Sequence, residues 1–208
     1  MGKAAVTATL LGRTDFLDRL NAWGEQGPIT VALIDLDRFK AVNDTYGHAI
    51  GDLMIERVLK TLQGSLSGEV SIARLGGDEF AAAFPASSPE EALIQLEEIR
   101  QYLCKPHPLT ESVALPAYIC AGIASFPQHA ADARKALDAA DEALWRAKRE
   151  GRNKIAIYVE EKMTLKSNYY PKSQLERLSK LSEGLGRTEA SLLREGLADL
   201  IEKYRDAQ

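Results

Sequence analysis

The spacing of apolar residues changes repeatedly along the first 160 positions, and this alternation restricts the fold more than any other feature. Some segments run continuously apolar or alternate, as β-strands do, and others repeat every three or four positions, as amphipathic helices do. Strands are predicted at Ile29–Leu36, Val70–Leu75, Phe80–Pro85, Ala117–Phe126 and Lys154–Glu160, and helices at Ala49–Gln63, Pro89–Leu103 and Ala131–Arg149. The sequence therefore predicts an α+β fold in which helices pack on a mixed sheet.

Residues 162–208 show a different pattern, which indicates a second, smaller unit. Met163–Tyr169 alternates like a strand, and two helices are predicted after Pro171, separated by Gly186-Arg187-Thr188 with Thr188 as the second N-cap. Their apolar stripes are Leu175, Leu178, Leu181 and Leu185, and then Leu193, Leu197, Leu200, Ile201 and Tyr204. Because so small a unit cannot close a core alone, it requires a partner. We therefore divide the chain into domains 1–161 and 162–208.

The composition is that of a water-soluble globular protein, with 45% hydrophobic and 27% charged residues. The net charge of −4 argues against a chain that binds polyanions along its whole surface. Cys104 and Cys120 lie in unrelated segments and are predicted to be reduced, semi-buried thiols. No apolar run approaches the roughly 20 residues that span a bilayer, and no secretory signal is recognisable. We expect a cytoplasmic protein without a membrane partner.

Acidic residues stand at two places in the first domain where a strand meets a turn. Asp35-Leu36-Asp37 ends an otherwise apolar strand, where a carboxylate would be an exposed, positioned ligand for a hard cation such as Mg²⁺. Gly76-Gly77-Asp78-Glu79 places two more carboxylates on a hairpin turn, and its glycines let a ligand approach the backbone closely. The two segments together predict a site for a divalent cation.

Two further polar clusters suit a nucleotide. Asn43-Asp44-Thr45-Tyr46-Gly47-His48 precedes a helix that carries Asp52, and such groups can read a base edge. Lys148 and Arg152, four apart near a helix end, could present two cations to a polyphosphate. Taken singly, these clusters and the glycine turn are more simply ordinary turns and solvated faces. Taken together, the four clusters supply the metal ligands, base-reading groups and cations that nucleotidyl transfer needs.

Three segments resemble the GGDEF family of diguanylate cyclases. They are Asp35–His48 with Gly51-Asp52, then Arg74–Phe80, which contains the Gly-Gly-Asp-Glu-Phe motif, and Ala140–Asn153. Order and spacing agree from about Leu11 to Tyr158, roughly three-quarters of the chain. The resemblance implies a palm-like fold and an enzyme that condenses two molecules of GTP into cyclic di-GMP and pyrophosphate.

The resemblance also implies a role for each matching residue. Asp35, the Leu36 carbonyl and Asp78 would hold Mg²⁺ or Mn²⁺, and Asp78 would accept the proton of the attacking 3′-hydroxyl with Glu79 supporting the metal site. The residues that would bind GTP are Phe39, Lys40, Asn43, His48, Asp52, Gly76, Gly77, Lys148 and Arg152. Asn43 and Asp52 would hydrogen-bond guanine, and Lys40, Lys148 and Arg152 would grip the phosphates. Because adenine lacks guanine's pair of donors, Asp52 would leave an acceptor unpaired with ATP, at a cost of about 1–3 kcal/mol.

The chain departs from the family pattern at three places. The product-inhibition motif Arg-x-x-Asp would fall at Ser67 and Val70, neither of which can bind product in the family's manner, so feedback through that motif is not expected. The usual entry segment is reduced to Ala8–Arg13, which leaves the start of the domain undefined. Cys120 stands where the family often has serine, and we interpret this as a packing change.

Residues 162–208 resemble a ribbon-helix-helix module, in which two chains pair their strands and interlock four helices. Met163, Leu165 and Tyr169 would face the core, and Thr164, Lys166 and Asn168 would face the DNA major groove. The segment holds nine Lys and Arg against seven Asp and Glu, a net charge of about +2, which leaves the first domain near −6. We expect a homodimer, with double-stranded DNA as a possible further partner; the alternative is a pure dimerisation device.

Two other functions remain open from the sequence. One is a transcription regulator whose first domain binds GTP or a cyclic dinucleotide without turnover, although the Gly76–Phe80 motif is intact. The other is a different nucleotide cyclase or polymerase on a palm-like fold, against which Asp52 argues.

Overall fold

The computed structural model describes residues 8–160, 168–185 and 188–204, which belong to two units divided after Glu161. In the first unit six strands form one sheet: β1 Thr9–Leu11, β2 Ile29–Leu36, β3 Ser71–Gly76, β4 Glu79–Pro85, β7 Ile119–Phe126 and β8 Ile155–Ile157. Their order across the sheet is β1-β3-β4-β2-β7-β8. The pairs β1–β3 and β7–β8 are parallel, whereas β2 lies antiparallel between β4 and β7. The predicted mixed sheet is confirmed.

Five helices belong to this unit: α1 Arg13–Gln26, α2 Phe39–Tyr46, α3 His48–Ser65, α4 Pro89–Leu103 and α5 Ala133–Arg149. A two-stranded hairpin, β5 His107–Pro108 with β6 Ala114–Leu115, follows α4. Apolar residues of β2 alternate between two cores, as successive side chains of a strand must. Ala32 and Ile34 join one core with residues of α3 and α4, and Ile29 and Val31 join the other with residues of α1 and α5. This double burial explains why β2 reads as an almost continuous apolar run.

Helix α5 lies unusually close to strand β7. A Cβ built on Gly122 would lie 2.0 Å from the Ala140 carbonyl oxygen and 2.2 Å from the Leu144 nitrogen. The helix meets the sheet with a face of small residues, including the buried Ala136, Ala139, Ala140, Ala143 and Ala147. This close approach fixes α5 along the sheet, so that its last turn, with Lys148, arrives beside the end of β2.

Several predicted bounds agree with the structure and others need correction. Strand β2 and helix α4 have the predicted bounds, whereas β8 ends at Ile157 rather than Glu160. Helix α2 occupies most of the segment 43–48, which we predicted only as a polar cluster. The helix was not predicted because Asn43, Asp44 and Thr45 are weak helix formers. Strand β1 and helix α1 were not predicted. The palm-like α+β interpretation is otherwise retained.

The second unit contains two helices where two were predicted, α6 Lys172–Leu185 and α7 Glu189–Lys203. The Pro171 carbonyl accepts a hydrogen bond from the Leu175 amide, and the Thr188 carbonyl accepts one from the Leu192 amide, so both residues stand at helix starts as expected. Of the predicted strand, residues 163–167 lie outside the described residues, and Asn168 and Tyr169 are not in a strand. Within the part of the chain that the structure describes, no helix is long and apolar enough to cross a membrane.

Candidate nucleotide and metal site

The end of strand β2 is held beside the β3–β4 turn by the register of the sheet. Asp35 pairs with Glu79 across the antiparallel ladder, and the Leu36 amide donates a hydrogen bond to the Asp78 carbonyl at 3.2 Å. Two acidic segments about 40 positions apart are thereby brought together. Asp35 and Asp37 are only 8% and 9% exposed, so the prediction of exposed strand-end carboxylates is wrong. Asp35 is covered where it meets Lys148 of α5, and Asp37, which follows β2, is covered by its contacts with Cys120 and Asn153.

Asp35 lies among charges of both signs. Burial raises the pKa of its carboxyl, and the neighbouring carboxylates of Asp78 and Glu79 raise it further. The Lys148 ammonium, 2.8 Å from Asp35 Oδ2, acts in the opposite direction and lowers that pKa. The carboxylates of Asp35, Asp78 and Glu79 are thus near enough to repel one another, with the Lys148 ammonium beside Asp35, and a further positive charge would relieve this repulsion.

The oxygen donors at this point suit a hard divalent cation. Asp35, the Leu36 carbonyl and Asp78 are all oxygen ligands, the kind that Mg²⁺ prefers. The described ranges contain no group of three or more His, Cys, Asp or Glu side chains that would enclose a metal alone. The predicted set contains only two carboxylates and one backbone oxygen, so this finding does not conflict with it.

The Gly76–Glu79 segment is the predicted hairpin turn, with Gly76 opposite Glu79. Arg74 braces it, because its Nε and Nη2 donate hydrogen bonds of 2.9 and 2.6 Å to the Gly77 carbonyl. The backbone of neither glycine is left-handed, and a Cβ on Gly77 would meet nothing within 4 Å. Neither strain nor crowding within the described chain requires glycine at position 77, so the space over the turn is open to a bound molecule.

Helices α2 and α3 bring a second set of predicted residues together. A Cβ on Gly51 would lie 1.9 Å from Asn43 Oδ1 and 3.1 Å from Phe39 Cζ, so glycine is needed where the two helices meet. Asn43 Oδ1 is buried without a hydrogen-bond partner in the described structure, which is uncommon for a buried polar atom. The other predicted nucleotide contacts on these helices are exposed: Lys40, His48 and Asp52.

Of the two predicted cations, only Lys148 lies in helix α5. The helix ends at Arg149, and Arg152 follows Gly151 in a left-handed backbone conformation with φ of 61°. The end of the helix at Arg149 agrees with the prediction, and Arg152 lies beyond it because the chain turns at Gly151, whose φ is 113°. Arg152 Nε lies 3.9 Å from Asp37 Oδ1, and its side chain is 50% exposed.

Sequence reasoning missed the role of Asp37 in the fold and that of Arg74 in the turn. Asp37 Oδ2 accepts hydrogen bonds from the Asn153 amide at 2.7 Å and from the Cys120 thiol at 3.3 Å. Burial and the Asp37 carboxylate raise the pKa of the Cys120 thiol to about 12, so this thiol stays protonated. Cys104 and Cys120 are both free, as predicted, but Cys120 is fully buried. The sequence signal for Arg74 is a cation two positions before Gly76.

Comparison with known proteins identifies the first unit. The family described as "Diguanylate cyclase, GGDEF domain" matches residues 10–154. Diguanylate cyclase A of Treponema denticola is 31% identical over 160 residues, which cover 76% of this chain and 41% of the relative. The bifunctional diguanylate cyclase and cyclic di-GMP phosphodiesterase MucR of Pseudomonas aeruginosa is 34% identical over 163 residues, covering 78% and 23%. The chain therefore spans less than half the length of either relative.

Solved structures resemble the same region. The GGDEF domain of YfiN from Pseudomonas aeruginosa is 32% identical, with a TM-score of 0.69, and the match covers 73% of this chain and 98% of that domain. The active GGEEF domain of a diguanylate cyclase from Vibrio cholerae is 31% identical, with a TM-score of 0.68, covering 74% of this chain and all of that one. The family match over residues 10–154 agrees with the span from about Leu11 to Tyr158 over which the sequence motifs were recognised.

Proposed function

The chain belongs to the family of diguanylate cyclase GGDEF domains, and from this membership we propose that its first unit condenses two molecules of GTP into cyclic di-GMP. The observation that carries the proposal is the junction at the end of β2, where Asp35 and the Asp78–Glu79 turn are held together beside Lys148. Carboxylates for a divalent cation and a cation for phosphate at one point are what phosphoryl transfer requires.

In the proposed reaction the 3′-hydroxyl of each GTP attacks the α-phosphate of the other, and pyrophosphate leaves from each. Asp78 accepts the proton of the attacking hydroxyl, and Glu79 supports the site from the next position. Asp35, the Leu36 carbonyl and Asp78 would hold Mg²⁺ or Mn²⁺. When bound, the cation would neutralise negative charge on the phosphates. The protein's remaining task is to position the two nucleotides.

The remaining residues divide between base and phosphates. We assign Asn43 and Asp52 to the guanine edge and place His48 and Phe39 near the nucleoside. Lys40, Lys148 and Arg152 are assigned to the phosphates, so Lys148 would exchange its contact with Asp35 for one with the nucleotide. The open space over Gly77 supports close approach of a phosphate to the turn.

The proposed enzyme lacks product inhibition through the family's Arg-x-x-Asp motif. Ser67 donates hydrogen bonds to Gln95 Oε1 from its amide and its hydroxyl, at 2.8 and 3.2 Å, and Val70 is buried in the core. Neither side chain offers the charge that would bind a cyclic dinucleotide there. Cyclic di-GMP added to the assay should therefore not inhibit through this position.

The test is incubation of the purified protein with GTP and Mg²⁺, followed by separation of the nucleotides. The wild type should form cyclic di-GMP and an Asp78→Ala variant should not. In parallel reactions ATP should be used at least tenfold less efficiently than GTP, and Asp52→Ala should reduce that preference. Folded wild-type protein that leaves GTP unchanged would contradict the proposal.

We further propose that the second unit is a ribbon-helix-helix module that holds two chains together. Its helices, and Tyr204 directly after α7, carry large apolar side chains that are at least 40% exposed: Leu175, Leu181, Leu193, Leu197, Leu200, Ile201 and Tyr204. Such a surface favours association with a second copy. A dimer would also bring two half-sites to a high effective concentration, which a product made from two nucleotides needs.

The proposal includes binding of double-stranded DNA by this unit, through Thr164, Lys166 and Asn168. Thr164 and Lys166 lie outside the described residues, and Asn168 is exposed with its Oδ1 accepting a hydrogen bond from the Tyr169 amide. Electrophoretic mobility of labelled duplex DNA tests it. Retardation that is lost in Lys166→Ala supports a DNA-binding ribbon, and no retardation at low salt leaves dimerisation as the function of the unit.

A further inference from the structure

Asp37 makes three contacts that join distant parts of the first unit. Its side chain is 4% exposed, and Oδ2 accepts the amide N–H of Asn153 and the thiol of Cys120. Its Oδ1 lies 3.9 Å from Arg152 Nε, longer than a hydrogen bond, and is buried without a hydrogen-bond partner in the described structure. The carboxylate thus faces Arg152 as a charge, while it holds Asn153 by a hydrogen bond.

The segment that Asp37 holds has an unusual backbone. Gly151, Arg152 and Asn153 have consecutive positive φ angles of 113°, 61° and 43°. A left-handed conformation is unfavourable for residues other than glycine, and it persists where the surroundings over-determine it. The Asn153 amide is fixed by Asp37, and the Arg152 amide donates to the Ala147 carbonyl at 3.2 Å. The turn is therefore held from both sides, by helix α5 and by the end of β2.

We propose that Asp37 is a positioning residue for nucleotide phosphates, which acts through Arg152. The inference rests on the proposed function, because it assigns to Asp37 the orientation of a cation that the nucleotide uses. The Asp37 carboxylate draws the guanidinium toward the β2 end where Lys148 also points. The distance of 3.9 Å from Oδ1 is too long for a hydrogen bond from Nε. The half-exposed guanidinium therefore keeps a fork of N–H donors for an anion.

The two oxygens of Asp37 allow structure and positioning to be separated. Asparagine at position 37 keeps an oxygen that can accept the Asn153 N–H, but it removes the negative charge that faces Arg152. Asp37→Asn should therefore preserve the turn and release the guanidinium. Cys120→Ser is the matched control, since a hydroxyl there donates to the same carboxylate oxygen without changing its charge.

The experiment measures equilibrium binding of GTP and of guanosine to the full chain, without added divalent metal so that no turnover occurs. Asp37→Asn should weaken GTP about tenfold, the value of one charge-assisted hydrogen bond, and leave guanosine within twofold. Cys120→Ser should bind both as the wild type does. In an Arg152→Ala background, Asp37→Asn should cause no further loss of GTP affinity.

Three results would overturn the inference: unchanged GTP affinity in folded Asp37→Asn, an equal loss for guanosine, or a full additional loss in the Arg152→Ala background. Thermal unfolding reports whether each variant is folded. If Asp37→Asn does not fold, Asp37→Glu keeps the charge but moves it by one methylene, and the same selective loss for GTP is expected. Because the readout is binding, a protein that binds GTP without forming cyclic di-GMP would fail the proposed function while leaving this test intact.

Discussion

At the scale of single residues, the Gly76–Glu79 turn shows where the chain leaves space for a ligand. Gly77 is not constrained by its own φ angle or by neighbouring atoms, in contrast to Gly51 and Gly122, which a Cβ would drive into other groups. Position 77 tolerates a methyl group in the protein alone, yet it lies beside Asp78. A bound nucleotide would therefore be what restricts this position to glycine.

The Gly77→Ala variant is expected to separate stability from activity. Its free energy of unfolding should stay within about 0.5 kcal/mol of the wild type, since the added methyl group meets no atom within 4 Å. Its rate of cyclic di-GMP formation should fall at least tenfold, because the methyl group would occupy space next to the phosphates. Urea denaturation and a GTP turnover assay measure the two quantities. Equal activity of the two proteins would show that no ligand approaches the turn closely.

The half-buried His129 gives a second residue-scale prediction, on how stability depends on pH. Burial lowers the pKa of the His129 imidazole below its ordinary value of about 6.5, and its Nδ1 accepts a hydrogen bond from the Ser125 amide at 3.1 Å. The unfolded chain binds this proton more readily than the folded one, so stability is lost as pH falls through about 6.5. The free energy of unfolding should therefore fall less between pH 7 and pH 5 in His129→Asn, whose Oδ1 can replace Nδ1, than in the wild type. Parallel curves for the two proteins would contradict this prediction.

At the scale of elements, the contact between α5 and β7 sets where the cations lie. Gly122→Ala would place a Cβ 2.0 Å from the Ala140 carbonyl oxygen, so the helix must move away from the sheet. We expect a loss of about 1–3 kcal/mol in the free energy of unfolding. GTP affinity should fall as well, because Lys148 lies in α5 and would move with the helix. Gly64→Ala in helix α3, where a Cβ meets nothing within 4 Å, is the control and should not destabilise the protein. A Gly122→Ala protein as stable as the wild type would show that the contact is not restrictive.

The sequence predicted helices and strands well where burial gives the apolar residues a clear pattern along the chain, and poorly where it does not. Strand β2 is covered on both faces and reads as an apolar run, and α4 buries one apolar face that includes Ala92, Leu96, Ile99 and Leu103. Helix α2 was missed because its residues are weak helix formers. The proposed metal ligands could be named from their motif, but the Asp37–Asn153 contact joins positions 116 apart. No local pattern reveals such a contact, since it depends on the left-handed turn after α5.

At the scale of the whole molecule, activity should depend on how two chains meet. A chain that ends at Glu161 retains the sheet and both apolar cores but lacks α6 and α7. Its specific activity should fall when the protein is diluted, whereas that of the full chain should hold to lower concentration, because dimerisation would supply the second half-site. Leu197→Glu in the full chain, at a 57% exposed position of α7, should act like the truncation. Concentration-independent activity of the truncated chain would show that the second unit is not needed for pairing.

The most direct test of the account is the balance of nucleotides during turnover. Purified protein with GTP and Mg²⁺ should consume two GTP and release two pyrophosphates for each cyclic di-GMP formed, and Asp78→Ala should do none of these. GTP that is bound but unchanged, or converted to any other nucleotide, would contradict the assignment of a diguanylate cyclase site to the junction of Asp35 with the Gly76–Glu79 turn.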